Sequence, residues 1–306
     1  MDNNKIMIVG TGNVGASIAF AALNQRTAIN EIVLTDIIAK DAEGEAMDLR
    51  DALAVAPSHI KISNGTYKDA RDCDIVVITA GAAQHPGETR MELLNRNVNI
   101  LKGMIQQIME SGFNGIIIMV TNPMDVMTYY AQKISGLPAE QVIGSGTILD
   151  SARLRQRVAG YLNVHPKSVH AYQVGEHGDS ELTLWSLADV GGQKIAETLP
   201  RETLDGISDF VKNEAYEIIE KKGATYYGIA TCVLQLINCI FGDELRVLPV
   251  SSFDAFSGAY FGWPTVVGRK GVIRRLDLKI TEDEGMKLQR SINALQEAIQ
   301  SVKIKT

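Results

Sequence analysis

Lys5-Ile6-Met7-Ile8-Val9 runs straight into Gly10-Thr11-Gly12-Asn13-Val14-Gly15, and this junction decides the fold. A short apolar run followed by G-x-G-x-x-G and then an Ala-rich stretch with helical spacing (Asn13–Leu23) is the pattern of a strand, a tight turn and a helix. Gly10 permits the turn, Gly12 lets the backbone approach a diphosphate, Val14 is expected to contact the same ligand, and Gly15 lets the helix pack on its strand. Free N–H groups at the helix start and the positive end of its dipole then face an anion. A second apolar run, Glu31–Thr35, ends at Asp36, whose carboxylate is placed to accept hydrogen bonds from both ribose hydroxyls and to repel a 2′-phosphate. The glycines alone could merely shape a turn; with strand, helix and Asp36 in register they indicate a dinucleotide, NAD rather than NADP.

Outward from that junction, strand-like runs at Lys61–Ser63, Asp74–Thr79, Gly115–Thr121 and Gln141–Ile143 alternate with helical stretches such as Asn97–Ser111. Strands that are apolar throughout imply burial on both faces, hence a doubly wound parallel sheet of the Rossmann kind. After about residue 145 the rhythm changes. Helices are expected over Leu149–Leu162, Glu202–Lys222, Ile229–Phe241 and Glu282–Lys303, with strands at Ser168–Tyr172 and Arg246–Ser251. The expectation is an α/β dinucleotide-binding domain over 1–144 and a mixed α+β substrate domain over 145–306. No repeat or Pro/Ser-rich linker separates them, so close packing is expected.

The composition of the 306-residue chain, 45% hydrophobic and 22% charged, is that of a globular protein. No apolar run reaches the roughly 18 residues that suggest a membrane span, and the amino terminus lacks the layout of a secretory signal, so a cytoplasmic protein is expected. A net charge of −6 gives no general attraction for nucleic acid. Cys73, Cys232 and Cys239 form no CxxC pair and suggest neither a disulfide framework nor a metal site; buried, inert thiols are expected.

The chemistry is signalled by Gly175-Glu176-His177-Gly178-Asp179-Ser180. A histidine between glycines in a loop has room to meet a substrate, and imidazole titrates near neutrality. With this segment, the glycine loop, Ala80-Gly81-Ala82-Ala83-Gln84-His85-Pro86-Gly87-Glu88-Thr89-Arg90, Val120-Thr121-Asn122-Pro123 and Gly146-Thr147-Ile148-Leu149-Asp150-Ser151-Ala152-Arg153 stand in one order. Along nearly its whole length the chain resembles the L-lactate/malate dehydrogenase family, on the side of its bacterial lactate-active members.

That resemblance implies reversible hydride transfer between NADH and pyruvate, with His177 as acid/base and Asp150 as its partner. Taken alone, Asp150 reads better as a helix cap. Arg153 is implied to clamp the substrate carboxylate with its planar fork, and Arg90, in what resembles a mobile lid, to polarise the carbonyl. Asn122 is implied to bond the reacting oxygen and Thr225 to close the side-chain pocket. Tyr67, Gly81, Ala82, Val120, Asn122 and Ser145 are implied to contact the cofactor. Gln84 stands where malate-active members carry arginine, which favours pyruvate over oxaloacetate; His85 departs from the usual lid residues. Arg155 and His170 occupy the positions of a fructose 1,6-bisphosphate site, and the family further implies a homotetramer serving glycolysis and fermentation, with allosteric control. The rival readings are a malate or other 2-hydroxy-acid dehydrogenase, and a non-catalytic NAD-binding structural protein.

Overall fold

The computed structural model describes residues 4–82, 87 and 89–303, without the side chain of Arg90. In the first half, β1 (Lys5–Val9), α1 (Asn13–Asn24), β2 (Glu31–Thr35), α2 (Ala39–Ala52), β3 (Lys61–Asn64), β4 (Ile75–Ile78), α3 (Arg90–Glu110), β5 (Ile116–Met119), α4 (Met124–Ser135) and β6 (Val142–Gly144) alternate regularly. The six strands are parallel in the order β3-β2-β1-β4-β5-β6, and the order reverses between β1 and β4. Ligands of open parallel sheets bind at that reversal, outside the carboxyl ends of the strands.

In the second half come α5 (Ile148–Leu162), β7 (Val169–His170), β8 (Gln173–Val174), β9 (Leu182–Thr183), β10 (Asp189–Val190), β11 (Gln193–Lys194), α6 (Ile195–Thr198), α7 (Arg201–Lys222), α8 (Tyr227–Phe241), β12 (Arg246–Asp254), β13 (Ala259–Gly268), β14 (Gly271–Arg275) and α9 (Glu282–Ser301). The parallel sheet does not stop at β6. Ser251 of β12 pairs with Gly144, and β12, β13 and β14 extend it antiparallel to nine strands. Pro249 and Pro264 sit opposite each other across β12 and β13, which confines both missing N–H donors to one rung of the ladder.

Two apolar layers cover the sheet. On one side Ile18, Ala19 and Ala22 of α1 share a core with Ala230, Val233, Leu234 and Ile237 of α8. On the other, α3, α4 and α9 contribute Leu101, Ile105, Met127, Ile292 and Leu295. Each half therefore completes the other's core. Among the described residues no helix is long and apolar enough to cross a membrane. The three cysteines are free and buried; burial pushes the Cys73 and Cys232 thiols up to about 12, which leaves little nucleophilic thiolate at neutral pH.

Candidate active site

The carboxyl ends of β1, β4, β5 and β6 present Gly10, Ala80-Gly81, Val120-Thr121-Asn122 and Ser145 at one edge of the sheet. Gly10 has φ +99°, and a Cβ on Gly15 would stand 1.9 Å from the Gly10 carbonyl oxygen. These two glycines are required by the protein itself. Gly12 is not: its φ is −68°, no side chain caps the helix it starts, and a Cβ there would meet nothing within 4 Å. A cradle left open above uncapped helix N–H groups fits a diphosphate. Asp36 is held in place by the Thr11 amide at 2.7 Å and the Ile38 amide at 3.1 Å, which orients a carboxylate with lone pairs to spare for ribose hydroxyls. Tyr67 lies near it: burial first, and then the Asp36 charge, push its hydroxyl up. The Ala82 amide is tied to Asn97 Oδ1 at 2.9 Å, Thr121 Oγ1 donates to the Ala80 carbonyl at 2.8 Å, and Ser145 is buried while Asn122 is exposed at the strand end. The residues present thus fit a dinucleotide along this edge.

Beside the same edge, Gly175 and Gly262 exchange two backbone hydrogen bonds of 2.9 Å, which fixes the start of the His177 loop against β13. The Glu176 amide donates to Ser291 Oγ of α9 at 2.8 Å, and the His177 amide donates to Asp125 Oδ2 of α4 at 2.7 Å. Asp125 also accepts from Ser251 Oγ at 2.5 Å; its burial pushes the carboxyl up to about 7 against those donors.

Nδ1 of the His177 ring lies 2.7 Å from Asp150 Oδ2, and the ring is a quarter exposed while Asp150 is buried. An acceptor at Nδ1 places the proton there in the neutral ring and leaves Nε2 to face the open side. The Asp150 charge raises the imidazole to about 9 even though burial opposes it. Burial works against the Asp150 carboxylate too, but His177 and Arg153 outweigh it and hold that group below its usual range. Asp150 stands in the first turn of α5 with no capping bond of its own, so its partner is the histidine and not the helix end.

Arg153, one turn further along α5, is 8% exposed; its Nη1 donates to Asp150 Oδ1 at 3.1 Å and its Nε stands 3.6 Å from Glu214 Oε2 of α7. The structure thus brings His177, Asp150 and Arg153 together. Thr225 is half-buried in the link between α7 and α8. Gln84 and His85 lie outside the described residues, as does the Arg90 side chain; the Arg90 backbone is the first residue of α3, which Thr89 and Glu92 cap reciprocally. Arg155 and His170 line a cavity of about 110 Å³ together with Lys167 and Arg246. Asp125, Glu181 and Glu214 were not singled out in the sequence, although Glu181 directly follows the Gly175–Ser180 segment. Asp150, His177 and Glu181 are the one group of possible metal ligands among the described residues, and Asp150 already pairs with Arg153 and with the His177 ring.

The family model described as lactate/malate dehydrogenase, NAD binding domain, matches residues 4–144, and that for the family's alpha/beta C-terminal domain matches 147–306. The chain belongs to the lactate/malate dehydrogenase family. L-lactate dehydrogenase 2 of Bacillus cereus is 47% identical, with 98% of each chain covered, and L-lactate dehydrogenase 1 of Bacillus anthracis is 46% identical at the same coverage. A lactate dehydrogenase from a Medee basin deep-sea metagenome library superposes with a TM-score of 0.96 at 45% identity, covering 98% of this chain and 99% of that one. The ligand-bound minor L-lactate dehydrogenase of Enterococcus mundtii gives 0.96 at 41% identity over the whole of both chains. As a lactate/malate dehydrogenase family member the protein takes NAD as its cofactor, in agreement with the open cradle at Gly12 and the carboxylate at Asp36.

Proposed function

We propose that the protein is an L-lactate dehydrogenase that reduces pyruvate with NADH, with the NAD-binding part over 1–144 and the substrate-binding part over 145–306. The observation that carries this reading is the His177–Asp150–Arg153 cluster: a proton donor, the carboxylate that keeps it charged, and a cation for the substrate's acid end. NADH, when bound, supplies the hydride to the 2-carbon. Protonated His177 gives the Nε2 proton to the ketone oxygen, and Asp150 stabilises the imidazolium beforehand and orients the ring. Arg153 pairs with the substrate carboxylate, Asn122 donates to the reacting oxygen, Arg90 meets the negative charge that develops there, and Thr225 bounds the methyl end. Gly10, Gly12, Val14, Gly15, Asp36, Tyr67, Gly81, Ala82, Val120 and Ser145 hold the cofactor.

Gln84 selects pyruvate. Burying the second carboxylate of oxaloacetate beside a neutral amide costs several kcal/mol, more than the roughly 1–3 kcal/mol that an extra methylene contributes. Arg155 and His170, in a cavity with two further cations, make a site for fructose 1,6-bisphosphate, and exposed Phe20, Met47 and Tyr227 leave apolar surface for the contacts of a homotetramer. A cytoplasmic, NADH-reoxidising step at the end of fermentation is the setting this chemistry suits.

The test follows NADH absorbance with pyruvate and with oxaloacetate, each with and without fructose 1,6-bisphosphate. The expected result is a kcat/KM favouring pyruvate by at least tenfold, and a pyruvate saturation curve that shifts to lower concentration with the bisphosphate. An oxaloacetate preference overturns the substrate assignment, and an unmoved curve overturns the regulatory one.

A further inference from the structure

Beside the His177–Asp150 pair lies an acid with no place in the chemistry above. Glu181 is 3% exposed, and its carboxylate, the Asp150 carboxylate and the His177 ring nitrogen all lie within 4.8 Å of one another. Gln173 Nε2, itself fully buried, donates to Glu181 Oε1 at 2.9 Å, and Gln173 Oε1 in turn accepts from Thr183 Oγ1 at 2.6 Å. This chain of hydrogen bonds orients the carboxylate. Its other flank borders a groove of about 520 Å³ lined by Asp205, Asp209 and Lys212 of α7 and by Lys287 and Arg290 of α9.

A carboxylate held this close to an imidazole acts on it, because charges separated by about 5 Å at an effective dielectric near 20 interact by more than a pKa unit. We propose that Glu181 is a positioning residue of the acid/base couple, acting through His177: its charge, added to that of Asp150, sets how strongly the imidazole holds its proton. This deepens the L-lactate dehydrogenase reading and rests on it.

The other charges around the ring define the balance. Asp150, which also pairs with Arg153, faces it from α5, Asp125 accepts from its backbone amide on the side of α4, and Glu176 precedes it in its own loop. Burial first, and then Asp150, push the Glu181 carboxyl up to about 8, so its charge appears on the alkaline side of neutrality. Ionisation of Glu181 there keeps the imidazolium charged to higher pH than Asp150 alone can.

The experiment titrates His177 by NMR with ring-labelled histidine, the signal assigned by its loss in His177→Gln, in the parent, Glu181→Gln and Glu181→Asp. The amide keeps an acceptor for Gln173 Nε2, and Glu181→Met serves as a second neutral variant should Glu181→Gln not fold. The expected result is a His177 pKa lowered by about one unit in the neutral variants and restored in Glu181→Asp. In parallel, kcat/KM for pyruvate in Glu181→Gln stays within about twofold of the parent at pH 7 and falls off about one pH unit earlier on the alkaline side. An unchanged His177 pKa, or a rate lowered equally at all pH values, overturns the proposal. Absence of pyruvate reduction in the parent would instead sink the L-lactate dehydrogenase reading, and the NMR titration still decides the role of Glu181.

Discussion

The role proposed for His177 rests on the position of one proton. Pairing with Asp150 at 2.7 Å lifts the imidazole from the ordinary range near 6.5 to about 9, so at neutral pH the ring is charged, as the proposed proton donor must be. In the role proposed above, kcat/KM for pyruvate is expected to be flat near neutrality and to fall as pH rises through about 9, whereas lactate oxidation, which needs the neutral ring, is expected to rise toward the same pH; initial rates in both directions across the alkaline range check this. The pairing stabilises the folded chain fully below about pH 6.5, and this contribution is lost as pH climbs through about 9. His177→Ala lowers turnover by about 10²–10⁴-fold and leaves NADH binding, read by fluorescence titration, intact. Turnover equal to the parent's would remove His177 from the chemistry. At this scale the sequence was legible where local context marks a residue, as the flanking glycines mark His177. It was not legible for Asp150 by itself, because the bond that defines it spans 27 residues of chain, nor for Asp125 and Glu181, single acids whose burial is a product of tertiary packing.

At the scale of one turn and one helix, the glycine loop separates what the fold needs from what the ligand needs. A Cβ on Gly15 collides with the Gly10 carbonyl, a backbone atom that cannot move aside, while a Cβ on Gly12 enters open space. Gly15→Ala is therefore expected to lower stability by about 1–3 kcal/mol, the range for overpacking. Gly12→Ala is expected to change stability by less than about 0.5 kcal/mol, as exposed substitutions do, yet to weaken NADH binding at least tenfold. Thermal melts and NADH titration of both variants check this; equal NADH affinity in Gly12→Ala and the parent would show that no diphosphate approaches that backbone. The same locality explains which elements could be read beforehand. Periodic apolar runs delivered β1 to β6 within a residue or two. Helix α3 begins seven residues earlier than its apolar pattern from Asn97 suggests, because Thr89 and Glu92 form a capping box whose T-x-x-E spacing was present but unread. Strand β13 escaped notice because Gly262 and Pro264 interrupt a run that only pairing on both sides stabilises.

Over the whole molecule the two halves form one cooperative body, although the chemistry divides them. In the site proposed above the cofactor edge belongs to the first half and the His177 loop to the second, and a displacement of one against the other would separate them. Two structural features prevent that. The sheet passes from β6 into β12 at Gly144 and Ser251, and α8 fills the face of α1 with Val233, Leu234 and Ile237, all at most 1% exposed. Burying each such side chain contributes roughly 1.5–3 kcal/mol; the three together reach roughly 5–9 kcal/mol, the same order as the net stability of about 5–15 kcal/mol typical of a folded protein. A fragment of residues 1–144 loses that covering and also leaves β6 as an unpaired edge, a template for aggregation. It is expected to keep helical far-ultraviolet dichroism, bind a hydrophobic dye and associate, with no sharp melting transition, and mixing it with residues 145–306 should restore cooperative melting. A monomeric 1–144 fragment that melts sharply and binds NADH as the intact chain does would mean that α1 and β6 need no partner, and that the continuous sheet is an accessory to the dinucleotide fold and not a condition of it.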